Sequence, residues 1–324
     1  MQRRTVLQAA LMASIFGSAM ARAAASWPTR PVKYLVPFAP GGTTDILARL
    51  ISTKLSTALG QTFVVENKGG AGGVVGADAV AKSPPDGYTL LGGTISTQAI
   101  NPALQPKMPY DAAKDFAPIT LIGSTPNVVI VPAASPFKSM PDLLAYARAN
   151  PGKLTHSSAG TGTSQHMSGE LLKQLAKVYL VHIPYRGSGP AMQDVLGGQV
   201  SMGIDTLVVA APHIKAGTLR ALAVTTAKRA RGFESIPTIA ESGVAGYDVA
   251  SWQSVHAPAG TPSEITHLLA AEIAKAMKLP DIQERFAAIG LEPSGIGPEE
   301  LAAFEAKERA KWLRVVKDGN IKVD

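Results

Sequence analysis

The sequence predicts an α/β fold, built mainly on parallel strands and divided into two lobes. Three observations carry that expectation. Short β-rich apolar runs alternate with glycine-containing turns, and then with stretches whose apolar residues recur at helical spacing. At 324 residues the chain exceeds one small core, given about 150 residues per domain. No long linker or low-complexity segment separates two halves, so the chain is expected to cross between lobes more than once. The crossings fall near Leu121 to Val131 and Val249 to Ala257.

The elements follow in order. Val32 to Phe38 reads as the first strand and Ala39-Pro40-Gly41-Gly42 as its turn, with Thr43 or Thr44 placed to cap the next helix. Ile46, Leu47, Leu50, Ile51 and Leu55 give that helix one buried face. Phe63-Val64-Val65 is a second short strand. Gly69 to Gly76 forms a glycine-rich loop into a helix over Ala77 to Ala81, and Pro84-Pro85-Asp86-Gly87 turns the chain into a strand at Tyr88 to Leu91. The plan then repeats. Leu154 to Ser157 leads through Ala159-Gly160-Thr161-Gly162-Thr163-Ser164 into a helix using Met167, Leu171, Leu172 and Leu175. Val178 to Ile183 leads through Tyr185-Arg186-Gly187-Ser188-Gly189 to Pro190, a natural first helical residue. Val200 to Ile204 ends at Asp205 ahead of a helix approaching Gly217, and Leu219 to Thr225 is again strand-like. Glu299 to Lys317 is an amphipathic helix using Leu301, Phe304, Trp312 and Val316.

With 46% hydrophobic and 17% charged residues, the chain is globular rather than disordered. It has no cysteine, which excludes disulfides, zinc ribbons, iron–sulfur clusters and thiol catalysis. Residues 1–25 read as a secretory signal peptide: a basic start at Arg3-Arg4, an apolar run from Val6 to Met20, and small residues that allow cleavage after Ala23 or Ala25. That run is too short to span a bilayer comfortably, which takes about 20 apolar residues. Arg3-Arg4 before Val6-Leu7 also suits twin-arginine export. No cysteine follows to carry a lipid, so a soluble periplasmic protein is expected. Without Arg3, Arg4 and Arg22 there remain 28 basic against 24 acidic residues, a scattered +4. Such a surface does not call for a nucleic-acid partner.

Motifs for enzyme chemistry are largely missing. The glycine runs lack a Walker pattern, and Gly70-Ala71-Gly72 has Val75 where a dinucleotide fingerprint needs its third glycine. There is no Gly-x-Ser-x-Gly elbow. His156, His166, His182, His213, His256 and His267 include no His-x-x-x-His pair, so neither a metal nor a cofactor is expected. A hydrolase using Ser157, Ser158 or Ser164 with His156 or His166 is the rival reading, although neither order nor spacing builds a known triad. In an open α/β sheet, ligands collect beyond the carboxyl ends of strands. The glycine turns lie there, either as tight turns alone or as helix N-termini that jointly hold a carboxylate. Asp45 and Asp205 are the acids nearest such a cleft, and Asp45 can also serve simply to satisfy N–H groups in its own helical turn.

The same residues carry a family resemblance. Pro37-Phe38-Ala39-Pro40-Gly41-Gly42-Thr43-Thr44-Asp45, Val65-Glu66-Asn67-Lys68-Gly69-Gly70-Ala71-Gly72-Gly73 and Pro84-Pro85-Asp86-Gly87-Tyr88 resemble motifs of the Bug (TctC-type) extracytoplasmic receptors of tripartite tricarboxylate transporters. Ile183-Pro184-Tyr185-Arg186-Gly187, Gly197-Gly198-Gln199-Val200 and Ala257-Pro258-Ala259-Gly260-Thr261-Pro262 extend the likeness over almost the whole chain. It implies a type II periplasmic-binding-protein fold with a ligand cleft between lobes, residues 26–122 and 253–324 forming one and 123–252 the other. It also implies a monomeric receptor, not an enzyme, that binds a small carboxylated solute and delivers it to inner-membrane transporter subunits or to a sensor protein. The implied ligand-binding residues are Phe38, Gly41, Gly42, Thr43, Thr44, Asp45, Ser96 and Thr97, faced by Thr161, Gly162, Thr163, Tyr185, Arg186, Gly187 and Asp205. Gln98 departs from the family, whose members often carry histidine there.

Overall fold

The computed structural model describes residues 27–319 and residue 321; the expected signal peptide lies outside them. The sheet is mixed. Strands β1 (Val32–Val36), β2 (Phe63–Asn67) and β3 (Thr89–Thr94) run parallel at one end, and β5 (Thr155–Ser158), β6 (Val181–Pro184) and β7 (Met202–Thr206) run parallel at the other. Between them lie two antiparallel strands, β4 (Phe116–Pro132) and β9 (Ala250–Pro258), in the order β2-β1-β3-β9-β4-β7-β5-β6. β8 (Leu219–Val224) and the two-residue β10 (Glu292–Pro293) also pair with β4.

β4 is the unifying element. At about 3.3 Å per residue, its 17 residues reach from one parallel set to the other. Phe116 to Pro126 pair with β9, with two register shifts that bend the strand. Asn127 to Pro132 pair with β7 and β8. The expected crossings are therefore β4 and β9, antiparallel to their neighbours.

Each parallel set carries helices. α1 (Thr43–Leu59) follows β1 and buries Leu47, Ile51 and Leu55 against Val32, Tyr34 and Val36. α2 (Val74–Ala81) follows the glycine-rich loop, and a π-helical turn at Ser96–Ile100 followed by α3 (Asn101–Leu104) succeeds β3. On the other side α4 (Met140–Ala149), α5 (Ser164–Ala176), α6 (Ser188–Leu196) and α7 (Leu207–Lys215) cover the sheet. The chain then returns through β9 to α8 (Ser263–Met277), α9 (Pro280–Ala288) and α10 (Pro298–Asp318). No helix among the described residues is long and apolar enough to cross a membrane.

Three local expectations are corrected. α1 is capped by neither threonine: Gly42 is its N-cap residue and makes no side-chain cap bond, because Thr43 and Thr44 are already helical and their hydroxyls point elsewhere. Leu175 is half-exposed rather than on the buried face of α5, which uses Met167 and Leu172. Pro190 is the third residue of α6, after Ser188 and Gly189, still in the first turn where a missing N–H costs nothing.

α10 closes the structure over β9. Leu301 and Trp312 enter the core, and the Trp252 indole N–H donates to the Glu308 carboxylate at 3.0 Å. Beneath them the buried His256 Nε2 meets buried Glu305 Oε1 at 2.8 Å. His256 Nδ1 has no partner, so Glu305 provides the ring's only hydrogen bond among the described residues. Replacing Glu305 with alanine is expected to lower the unfolding free energy by about 3 kcal/mol, measured by urea denaturation. A loss below about 1 kcal/mol would show that the pair does not hold α10 in place.

Candidate functional site

The C-terminal ends of β1, β3, β5 and β7 converge on one cavity of about 30 Å³. Phe38 and Gly42 reach it from the turn after β1, Thr43 and Thr44 from the start of α1, and Thr94 and Ser96 from the end of β3. Ala159 comes from the loop after β5, Ser164 and Gln165 open α5, Ser188 opens α6, and Thr206 ends β7. Ser251 and Gln253 are supplied by the crossover strand β9. The lining is hydroxyl and amide groups around one phenyl ring, with no lysine, arginine or histidine.

Four helices begin at this cavity. Thr43, Ser164 and Ser188 are the first residues of α1, α5 and α6, and Thr206 immediately precedes α7. Three of those starts, at Gly42, Gly187 and Thr206, have no side-chain cap; at α5, Thr163 accepts the His166 N–H. Uncapped first-turn N–H groups are left for water or a ligand, and each terminus carries about half a positive charge. The chemistry that satisfies such a site is an anion accepting from neutral donors, as at other helix N-termini.

The two halves of the sheet touch across the cavity. The Thr43 and Thr206 hydroxyls share a hydrogen bond and the Ser164 N–H donates to Ser96 Oγ at 3.3 Å, while on the β3 side the Thr44 hydroxyl donates to Gln253 Oε1 at 2.8 Å. Outside, the Ala39 N–H donates to the Arg186 carbonyl at 3.2 Å. Small-molecule pockets commonly measure about 300–1,000 Å³, so the inner cavity in this structure is far smaller than one that encloses an organic anion. A second chamber of about 200 Å³ lies between the glycine loop at Gly70 to Gly73 and the turns carrying Thr161, Tyr185 and Arg186. Phe38 and Ala159 line both chambers.

Of the residues expected from sequence, Phe38, Gly42, Thr43, Thr44 and Ser96 line the inner cavity, while Thr161, Tyr185 and Arg186 line the outer one. The Tyr185 hydroxyl is committed to Asp194, and Thr97 binds back to Thr94. Gly41 lies against Gly189, Gly162 against Asn101 and Gly187 against Ala39, each at the contact between halves. Gln98 is fully buried, and neither amide atom has a partner. Thr94, Ala159, Ser164, Gln165, Ser188, Thr206, Ser251 and Gln253 were not assigned to a ligand site by sequence. Ser164 and Ser188 open helices after glycine turns, a signal that could have found them; Ser251 and Gln253 sit in a plain strand pattern that carries none.

The two aspartates differ in environment. Asp45 accepts from the Gly41 N–H (3.0 Å), Arg49 Nε and Nη2 (3.1 and 2.9 Å) and Asn67 Nδ2 (3.0 Å), so it braces the turn after β1. Burial alone would raise its pKa, but the bonds from Arg49, Gly41 and Asn67, with the Arg49 charge, hold it below the usual value. Asp205 is buried behind the cavity wall, where Oδ1 accepts from Ser188 Oγ (2.7 Å), the Thr206 N–H (2.7 Å) and Gln165 Nε2 (3.4 Å). Burial pushes its carboxyl above the ordinary range, only partly offset by those bonds.

The hydrolase constellation is not assembled. The Ser164 hydroxyl donates to Gln165 Oε1 at 3.2 Å rather than to an imidazole. Ser158 Oγ meets His182 Nε2 at 2.6 Å, but among the described residues no carboxylate binds His182. No group of three or more potential metal-ligating histidine or acidic side chains occurs among the described residues.

Residues 47–321 match the model of the tripartite tricarboxylate transporter family receptors. The chain belongs to that family. It is 37% identical to Protein BugT of Bordetella pertussis over 308 residues, covering 95% of this chain and 94% of that one. Among solved structures it is similar to R. palustris Rpa4515 with adipate (42% identity, TM-score 0.88, 91% of this chain and 99% of the other). It is also similar to MatC (Rpa3494) from Rhodopseudomonas palustris with bound malate (34% identity, TM-score 0.85, 90% and 100%). The fold of this family receptor is thus the two-lobed α/β fold of periplasmic solute-binding proteins.

Asp205 generates a pH prediction. A carboxyl whose folded pKa is raised binds more protons in the folded state, so stability falls as pH rises from about 3.8 through the folded value. Asp205→Asn keeps an acceptor at Oδ1 without the charge. The variant should therefore gain stability relative to the parent as pH rises through that window, read by urea denaturation at several pH values. A difference independent of pH would contradict this assignment.

Proposed function

We propose that this receptor captures a small di- or tricarboxylate in the periplasm and delivers it to the membrane subunits of a tripartite tricarboxylate transporter. One observation carries the reading: four helix N-termini, three without side-chain caps, meet at one hydroxyl-lined cavity with no cation. A carboxylate accepts several N–H and O–H bonds at once, which satisfies those groups without the desolvation cost of burying an arginine. The similar structures holding adipate and malate support the same ligand class.

In this reading the two lobes are residues 26–122 with 253–324 and residues 123–252, hinged where β4 and β9 cross. Their closure over the ligand is the signal the transporter reads, since a ligand shifts the lobes only by its differential affinity for the closed form. A monomer exported by a signal peptide over residues 1–25 suffices for this role, and a sensor protein is the second partner the closed form can address. The residues in contact with ligand would be Phe38, Gly42, Thr43, Thr44 and Ser96 from one side and the 161–163 loop, Ser188 and Thr206 from the other. Asp45 and Asp205 would support these walls.

Thermal and urea unfolding with adipate, malate and citrate tests the reading. The matching acid at a hundredfold excess over its Kd should raise the unfolding free energy by about 2.7 kcal/mol. Absence of any shift across a wide panel of carboxylates would overturn it.

A further inference from the structure

The loop between β5 and α5 is where this half of the structure meets the other. A Cβ on Gly72 would collide with the Thr161 carbonyl, and one on Gly162 would collide with the Asn101 side chain. Gly72 and Gly162 both hold positive φ, 62° and 79°, which a side chain would strain. Ser164, the first residue of α5 just after the loop, donates its N–H to Ser96. Residues 160–163 are therefore one of the close contacts that set how near the halves approach.

That loop is held from beneath by one imidazole. The Gly162 N–H donates to His166 Nδ1 at 3.3 Å, in a buried setting. Thr163 locks the same turn, accepting the His166 N–H at 3.3 Å and donating to the Gly160 carbonyl at 2.6 Å. An Nδ1 that accepts requires the ring proton on Nε2, and Nε2 faces Glu170 Oε1 at 3.6 Å. Glu170 is already paired with Lys173, 2.8 Å away on the same helix. Across the interface with β6, the His182 ring stacks on His166 at 4.3 Å, and His156 of β5 stacks on His182 at 4.9 Å.

We propose that His166 is a positioning residue for ligand capture: its neutral ring, accepting through Nδ1, fixes the 160–163 loop in the shape that meets the opposite lobe. An imidazolium has no acceptor, so protonation would set Nδ1–H against the Gly162 N–H and release the loop. Several features keep the ring neutral at ordinary pH. Burial foremost, and then the Lys173 charge, lower its pKa to about 4. His166 is also the third residue of α5, where the helix dipole opposes a positive charge. The stacked His182 and His156 are likewise held neutral, each with pKa lowered to about 3 by burial first. Any gain in Coulomb attraction between imidazolium and anion acts in the opposite direction, so the sign of the acid effect discriminates the two.

The test compares the parent chain with His166→Asn, whose Oδ1 can accept the same N–H but does not titrate, and His166→Phe, which keeps a stacking ring without an acceptor. Hydrogen exchange at the Gly162 amide, followed by NMR without ligand, should lose protection in His166→Phe at pH 7. In the parent it should lose protection with a midpoint near pH 4, and in His166→Asn it should remain throughout. Amides of β1 report whether the fold persists. Calorimetry with adipate should show about fivefold weaker binding to His166→Phe at pH 7. At pH 4, where half the rings are protonated, the parent should bind about twofold more weakly relative to His166→Asn. Gly162 protection that ignores His166 titration, or tighter parent binding in acid relative to His166→Asn, overturns the proposal. The ligand readout rests on the receptor reading: if adipate and malate both fail to bind the parent at pH 7, that reading fails for these acids, while the exchange data still decide the role of His166.

Discussion

A helix that begins without a capping side chain leaves its first N–H groups to find partners elsewhere, at a cost of only a few tenths of a kcal/mol where glycine is the N-cap residue. Three helices here begin that way, at Gly42, Gly187 and Thr206, and all three begin at the same cavity. Their convergence concentrates donors at one place, which is what the anion-binding reading proposed above uses. Sheet order follows from the same requirement. Parallel strands deliver helix starts to one edge, and two parallel sets facing each other deliver them from both sides.

The crossover strands tie the two halves together. β4 and β9 pair with each other along Phe116 to Pro126 and join both halves. Where the halves touch, small residues let backbone approach backbone: Gly189 lies against Pro40, Gly69 against Arg186, and Gly72 against Thr161. Contacts of this kind form and break without moving large side chains. They suit the lobe closure proposed above.

Charge around the site is arranged by environment rather than by residue type. Asp45, surrounded by donors and Arg49, is held ionised and anchors the turn after β1. Asp205, buried with neutral partners, is pushed the other way and organises the hydroxyl of Ser188 and the amide of Thr206. The three stacked histidines stay uncharged beneath the loop after β5 for the same reason, burial. The inner cavity thus presents partial charges and dipoles rather than formal positive charge.

Much of the fold was legible because its signals are local. Alternation of apolar runs, glycine turns and helical spacing placed β1, α1, β5, α5 and α10, and two stretches without a linker marked β4 and β9 as crossings. The turn carrying Phe38, Gly42, Thr43 and Thr44 was likewise readable, since a glycine turn between strand and helix constrains its own neighbours. Tertiary structure alone decided that Thr43 spends its hydroxyl across the cleft on Thr206 and Thr44 on Gln253 of β9 instead of capping α1, and that Ser251 and Gln253 complete the cavity. It also decided that His166 lies under Gly162 with two more rings stacked behind it. These depend on residues far apart in the chain being brought together, and no periodicity or spacing encodes such distances.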